Sequence, residues 1–140
     1  MLLPHGTVFA IVDGENFELY RNSGIEAEPQ LTAIETPDLE ATNYSSAAKD
    51  HDKISRFQSG APKDRLDKME EAAHVTAVAQ WLNSQVLSRQ IDKLVVVADP
   101  KSLGQMRRHY HKELEGVLLG EVPKTLTGRP TQEIIRVLHS

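Results

Sequence analysis

Residues 92–108 decide the fold: Asp92-Lys93-Leu94-Val95-Val96-Val97-Ala98-Asp99-Pro100-Lys101-Ser102-Leu103-Gly104-Gln105-Met106-Arg107-Arg108. An unbroken aliphatic run that ends in Asp-Pro and passes straight into a helical pattern reads as a strand buried on both faces, feeding a crossover helix. That junction sets the class as α/β. It also marks where a ligand belongs, because open α/β sheets bind at the carboxyl ends of their strands.

Working outward, Thr7–Val12 and Asn16–Arg21 read as two strands joined around Asp13-Gly14, a hairpin signal. Gln30–Thr36 continues the alternation as a third antiparallel strand. Residues 37–63 lose all periodicity and form a long polar loop, of the kind that is usually functional or disordered. A helix follows from Asp64, its N-cap, to about Arg89. Its apolar residues fall into two opposed stripes, Leu66-Met69-Ala73-Ala77 and Val75-Val78-Leu82-Val86. The sheet covers one stripe, and the long loop or a second copy of the chain covers the other; because the loop is so polar, a homodimer is expected.

After the strand at Leu94–Ala98, one amphipathic helix is expected to place Leu103, Met106, Tyr110 and Leu114 on its buried face. Lys101, Arg108 and Lys112 lie on the opposite face, Gly104 allows close packing, and Gly116 closes the helix. Val117–Val122 is the fifth strand, and Pro130 opens a last helix with Ile134, Ile135 and Leu138 inward. Residues 1–140 thus form one domain with the order β-β-β-α-β-α-β-α and a five-stranded mixed sheet.

The whole-chain properties set outer bounds. Hydrophobic residues make up 39% and charged residues 26%, as in an ordinary soluble domain. There is no cysteine, which excludes disulfides, thiolate catalysis and Cys-ligated metals. No apolar run is long enough for membrane insertion and the start lacks a basic leader, so a cytoplasmic location is expected. The net charge of −4 conceals an asymmetry: residues 1–40 hold eight Asp/Glu against Arg21 alone, and the remainder holds fifteen Lys/Arg against twelve Asp/Glu. Any nucleic-acid contact must therefore be local, since the domain as a whole repels phosphate.

The order of elements looks like the RNase H-like three-layer fold, with strands in the order 3-2-1-4-5. Val8–Gly14, Leu94–Pro100 with Leu103-Gly104, and Lys124-Thr125-Leu126-Thr127 before the terminal helix resemble the bacterial host-attachment protein family. Its members are described as required for attachment to host cells and are similar to the middle domain of archaeal and eukaryotic peptide release factors. The resemblance implies contacts with a protein partner or with RNA and the ribosome. The Gly/Arg-rich loop that often precedes the first helix in that family is only faintly echoed by Ser55–Gly60, and Gly-Gly-Gln occurs nowhere. Hydrolysis of peptidyl-tRNA is therefore not implied.

Two chemistries compete for the site. Asp13 and Asp99 end adjacent strands and could hold Mg or Mn as a phosphodiesterase does, with Glu15, Glu18 or Glu35 as further ligands. The same two residues equally suit a hairpin turn and a helix N-cap followed by Pro. The second reading needs no cofactor and leaves a non-enzymatic protein whose binding candidates are Asp13, Asp99, Lys101, Arg108, Lys112 and Lys124. His109 and His111, two apart on a helix, point away from each other and do not chelate.

Overall fold

The computed structural model describes residues 1–39 and 63–139, with side chains in the first long helix from Glu70 onward. Its elements are β1 (Val8–Val12), β2 (Phe17–Asn22), β3 (Leu31–Ile34), α1 (Lys63–Leu87), β4 (Leu94–Ala98), α2 (Pro100–Arg107), α3 (Lys112–Val117), β5 (Leu118–Val122) and α4 (Thr131–His139). One sheet runs β3-β2-β1-β4-β5, the order expected from sequence. The expected loop, Ser55–Gly60 included, lies almost wholly outside the described residues, as do the side chains of Asp64, Leu66 and Met69.

The two central strands, VFAIV and LVVVA, are buried at every position. They pair in parallel from Val8↔Leu94 to Val12↔Ala98. Alternation then divides their side chains between two cores. Val8, Ala10, Val12, Leu94, Val96 and Ala98 meet Val75, Val78, Leu82, Leu103, Met106 and Leu114 on the α1–α3 side. Phe9, Ile11, Val95 and Val97 meet Leu3, Leu126, Ile134 and Leu138 on the α4 side. These are the three layers, each core closed by the apolar faces of its helices. At β5 the register shifts: Leu94 faces Leu118 but Val95 faces Gly120, so Leu119 is an extra residue and is 45% exposed.

Two expectations need correction. The segment from Pro100 is two short helices, not one. Asn83 of α1 breaks it by gripping the main chain at both sides of the link, donating from Nδ2 to His109 O (2.7 Å) and accepting at Oδ1 from His111 N (2.9 Å). His111 then caps α3, its Nδ1 accepting from Glu113 N (3.0 Å). His109 and His111 thus flank a link, and Gly116 lies inside α3 without closing anything. Leu103, Met106 and Leu114 are still buried, because α2 and α3 both continue to cover α1.

Under that cover Val75, Ala77, Val78, Ala79, Leu82 and Val86 are all buried within one chain, between the sheet and the α2–α3 segment. In the other stripe Ala73 is half-buried, and the side chains of Leu66 and Met69, on which the expected homodimer rests, lie outside the described residues. The second correction is that Gly104 packs against nothing: a Cβ built there meets open space, and the residue is exposed. A glycine inside a helix costs about 0.5–1 kcal/mol relative to alanine, and no packing offsets it here.

α1 ends in a left-handed residue, Arg89 (φ 65°). The amide of Gln90 reaches back to Gln85 O (2.8 Å) and that of Arg89 to Val86 O (3.0 Å), the pattern of a Schellman cap. A Cβ-bearing residue is strained in that conformation. Arg89→Gly should accordingly raise stability by about 0.5–1 kcal/mol. The check is a higher urea midpoint at unchanged m-value.

Candidate functional site

The parallel pairing of β1 with β4 brings Asp13 and Asp99 out of the sheet side by side at its carboxyl end. A cleft of about 340 Å³ opens there, bounded by the β1–β2 turn, the face of α1 around Glu71 and Val75, and the start of α2 with Lys101, Ser102 and Gln105. Of the six residues expected to bind, Asp13, Asp99 and Lys101 line this cleft. Arg108 follows α2, Lys112 begins α3 and Lys124 follows β5. All three are exposed, outside the lining, and they do not form one face of one helix.

The two aspartates are used differently. Asp13 Oδ1 accepts from the amides of Glu15 (2.8 Å) and Asn16 (2.6 Å) and from Asn16 Nδ2 (3.2 Å). Its Oδ2 accepts from Thr127 Oγ1 (2.5 Å) and Asn16 Nδ2 (3.1 Å). The chain reverses around it, with Asp13 N donating to Asn16 O (3.0 Å). Gly14 does not use a positive φ. Its lack of a side chain brings the turn close to α1: a Cβ would stand 3.0 Å from Glu71 Cγ, and the Glu71 side chain would have to give by a few tenths of an ångström.

Partial burial pushes the Asp13 carboxyl up, but the hydrogen bonds from Thr127, Glu15 and Asn16 together hold it below the ordinary carboxylate range. Five donor contacts on one carboxylate leave little for a cation. The Thr127 bond is also a clasp between distant segments, seconded by Gly128 N donating to Glu18 Oε2 (2.8 Å). It pins the loop after β5 to the first hairpin while Leu126 is buried beneath it.

Asp99 is the N-cap of α2, with Oδ2 accepting from Ser102 N (3.1 Å) and Pro100 in the first turn. Its Oδ1 is buried and has no hydrogen-bond partner among the described residues. Lys101 Nζ stands 3.8 Å from Glu71 Oε2, a largely exposed pair worth under about 1 kcal/mol. Of the other carboxylates considered for a metal, Glu15 lines the cleft. Glu18 is held by Tyr20 OH and Gly128 N, and Glu35 follows β3 at the far edge of the sheet. Among the described residues no three His, Asp or Glu side chains are grouped to hold a metal ion.

Thr127, Asn16 and Glu71 were not singled out from sequence. Thr127 closes the Lys124–Thr127 motif, which carried a resemblance but no role. Glu71 is separated from Gly14 by the whole polar loop, and nothing local marks it.

With the fold and the cleft in view, comparison with protein families is decisive. The model of bacterial archaeo-eukaryotic release factor family 12 matches residues 6–138. The chain belongs to this family. Family 12 membership bears out the likeness to release factors and spans both aspartates, the Thr127 clasp and all five strands. It gives attachment to host cells no support. No curated protein matches the chain. No helix among the described residues is long and apolar enough to cross a membrane.

Two outcomes follow from these geometries. Asp13 has its pKa depressed on folding, so its contribution to stability is present above the unfolded carboxylate value and is lost as pH falls through the folded one. Thr127→Val should lower stability by about 1 kcal/mol at neutral pH and flatten the acid limb below about pH 4. Urea melts of both proteins across that range test it. For Asp99, the capped but half-unsatisfied carboxylate makes a hydroxyl the better residue. Asp99→Ser should melt at or above the parent, and Asp99→Ala should fall below the Ser variant by about 1 kcal/mol. The reverse order would show that Asp99 is not retained as a cap.

Proposed function

We propose that this family 12 protein acts without catalysis, as a cytoplasmic contact module for the translation apparatus, meeting RNA, the ribosome or a ribosome-bound protein. The observation that carries this reading is the commitment of Asp13. A carboxylate whose two oxygens already receive five hydrogen bonds from its own turn and from Thr127 serves to lock two segments together. It is poorly placed to share a divalent ion with Asp99. Membership of a release-factor family supplies the translational setting, and the lack of Gly-Gly-Gln argues against peptidyl-tRNA hydrolysis as the task.

The competing reading is a phosphodiesterase using Mg or Mn on Asp13 and Asp99. It would require Asp13 to release Thr127 and a third carboxylate to join from Glu15 or Glu71. Homodimerisation is compatible with a contact role, its motive being the Leu66-Met69-Ala73 stripe of α1. Attachment to host cells would be a distant consequence of such contacts, and no residue described here accounts for it.

Incubated with single-stranded and structured RNA in Mg²⁺ or Mn²⁺, the protein should leave the RNA intact. Cleavage that disappears in Asp13→Asn would install the enzyme in place of the contact module. In cell extracts the protein should co-sediment with ribosomes. Absence from the ribosomal fractions at low salt would remove the translational setting.

A further inference from the structure

We propose that the solvent face of α2, with its continuation into Lys112, is the surface that receives RNA, through the sugar-phosphate backbone of structured RNA. The proposal rests on the contact role above and names its ligand and its place. From Pro100 to Lys112 the chain has four Lys/Arg, two His and no acid. Lys101, Gly104 and Arg108 are three and four residues apart and so share one face, Arg108 keeping helical backbone (φ −67°, ψ −18°) as the C-cap. Lys112 opens α3 just across the link that Asn83 fixes.

Not every cation in this stretch is free to bind. Arg107 Nε donates to both oxygens of Glu121 (3.2 and 3.1 Å), and Tyr110 OH donates to the same carboxylate. Lys101 has Glu71 nearby. Arg108 and Lys112 are exposed and have no carboxylate within ion-pair distance among the described residues. Glu113 and Glu115 stand beyond them on α3 and bound the positive strip on that side.

Gly104 gives the strip its shape. It lies in the middle of the exposed face, in ordinary helical backbone, with open space where a side chain would be, so the fold gains nothing from its being glycine. A ligand that approaches the helix closely between Lys101 and Arg108 does gain. A phosphate chain lying across a bare stretch of helix, with a cation on either side, has that shape.

Structured RNA is favoured over single strands by what the surface lacks. Among the described residues, the aromatic side chains that could stack on bases are engaged elsewhere. Trp81 packs edge-on against Phe17 (ring centroids 5.7 Å apart), Phe9 is buried, and Tyr20 and Tyr110 hydrogen-bond to Glu18 and Glu121. Recognition then falls to phosphates, which is the mode of shape-directed, sequence-tolerant binding.

The test uses the full chain and a fluorescein-labelled RNA hairpin, with anisotropy read over a salt series and an acidic peptide, poly-glutamate, as the second probe. The parent should bind the hairpin with an affinity that falls steeply with salt. The double variant Arg108→Glu/Lys112→Glu should lose about tenfold or more, with a shallower slope of log affinity against log salt by roughly 0.7–0.9 for each contact removed. Gly104→Gln separates binding from folding. It should melt higher than the parent, because glutamine favours helix, and yet bind the hairpin several-fold more weakly.

Binding unchanged in Gly104→Gln and in the charge-reversed variant would overturn the proposal. So would tighter binding of poly-glutamate than of the hairpin, which assigns the strip to an acidic protein. If the parent binds no RNA but still co-sediments with ribosomes after mild nuclease treatment, the α2 surface fails and the contact role stands. If it neither binds RNA nor co-sediments, both fail together.

Discussion

The parallel pairing of β1 with β4 is the constraint from which the other features follow. Five consecutive register pairs, ten residues all buried, leave these strands no alternative environment, and alternation then assigns each side chain to one of two cores. The pairing also sets chain geometry. Two strands that run the same way release their next residues at the same end, so Asp13 and Asp99 become neighbours without any attraction between them. The cleft is a by-product of topology that the surrounding residues then shape.

What those residues do with the two carboxylates is the main functional lesson. One is saturated by its own turn and by a threonine 114 positions away, and the other caps a helix and keeps one oxygen unpaired in the interior. An enzyme built here would need both to face a common ion. The arrangement makes Asp13 a structural knot and Asp99 a helix start.

Much of this was legible in the sequence, for physical reasons that differ by element. The aliphatic runs at Val8–Val12 and Leu94–Ala98 admit one reading because only a strand buried on both faces tolerates them. Asp99-Pro100 marks a helix start because capping and proline geometry are local. The break at Arg108–His111 was not legible: no glycine or proline stands there, and its cause is Asn83, more than twenty residues upstream. Within the site, Asp13 and Asp99 lie side by side as the order of strands implies, and Lys101, expected in a cationic face with Arg108 and Lys112, lines the cleft with them, whereas Thr127 and Glu71 reach it through tertiary contacts that periodicity cannot reveal. Gly104 was read as a packing glycine, and only its surroundings show that it faces solvent.

The displaced residue in β5 has a consequence for solution behaviour. A strand at the margin of a sheet presents unpaired amides and carbonyls, and a flat one serves as a template for a strand from another molecule. By admitting Leu119 as an unmatched residue, β5 bends and twists where it would otherwise lie straight, and the spacing of its outward-facing groups no longer fits a regular ladder. The side of the sheet next to the basic helix is thereby protected from strand addition. Any assembly this protein enters on that side must be made through side chains, in a domain whose backbone has declined to extend.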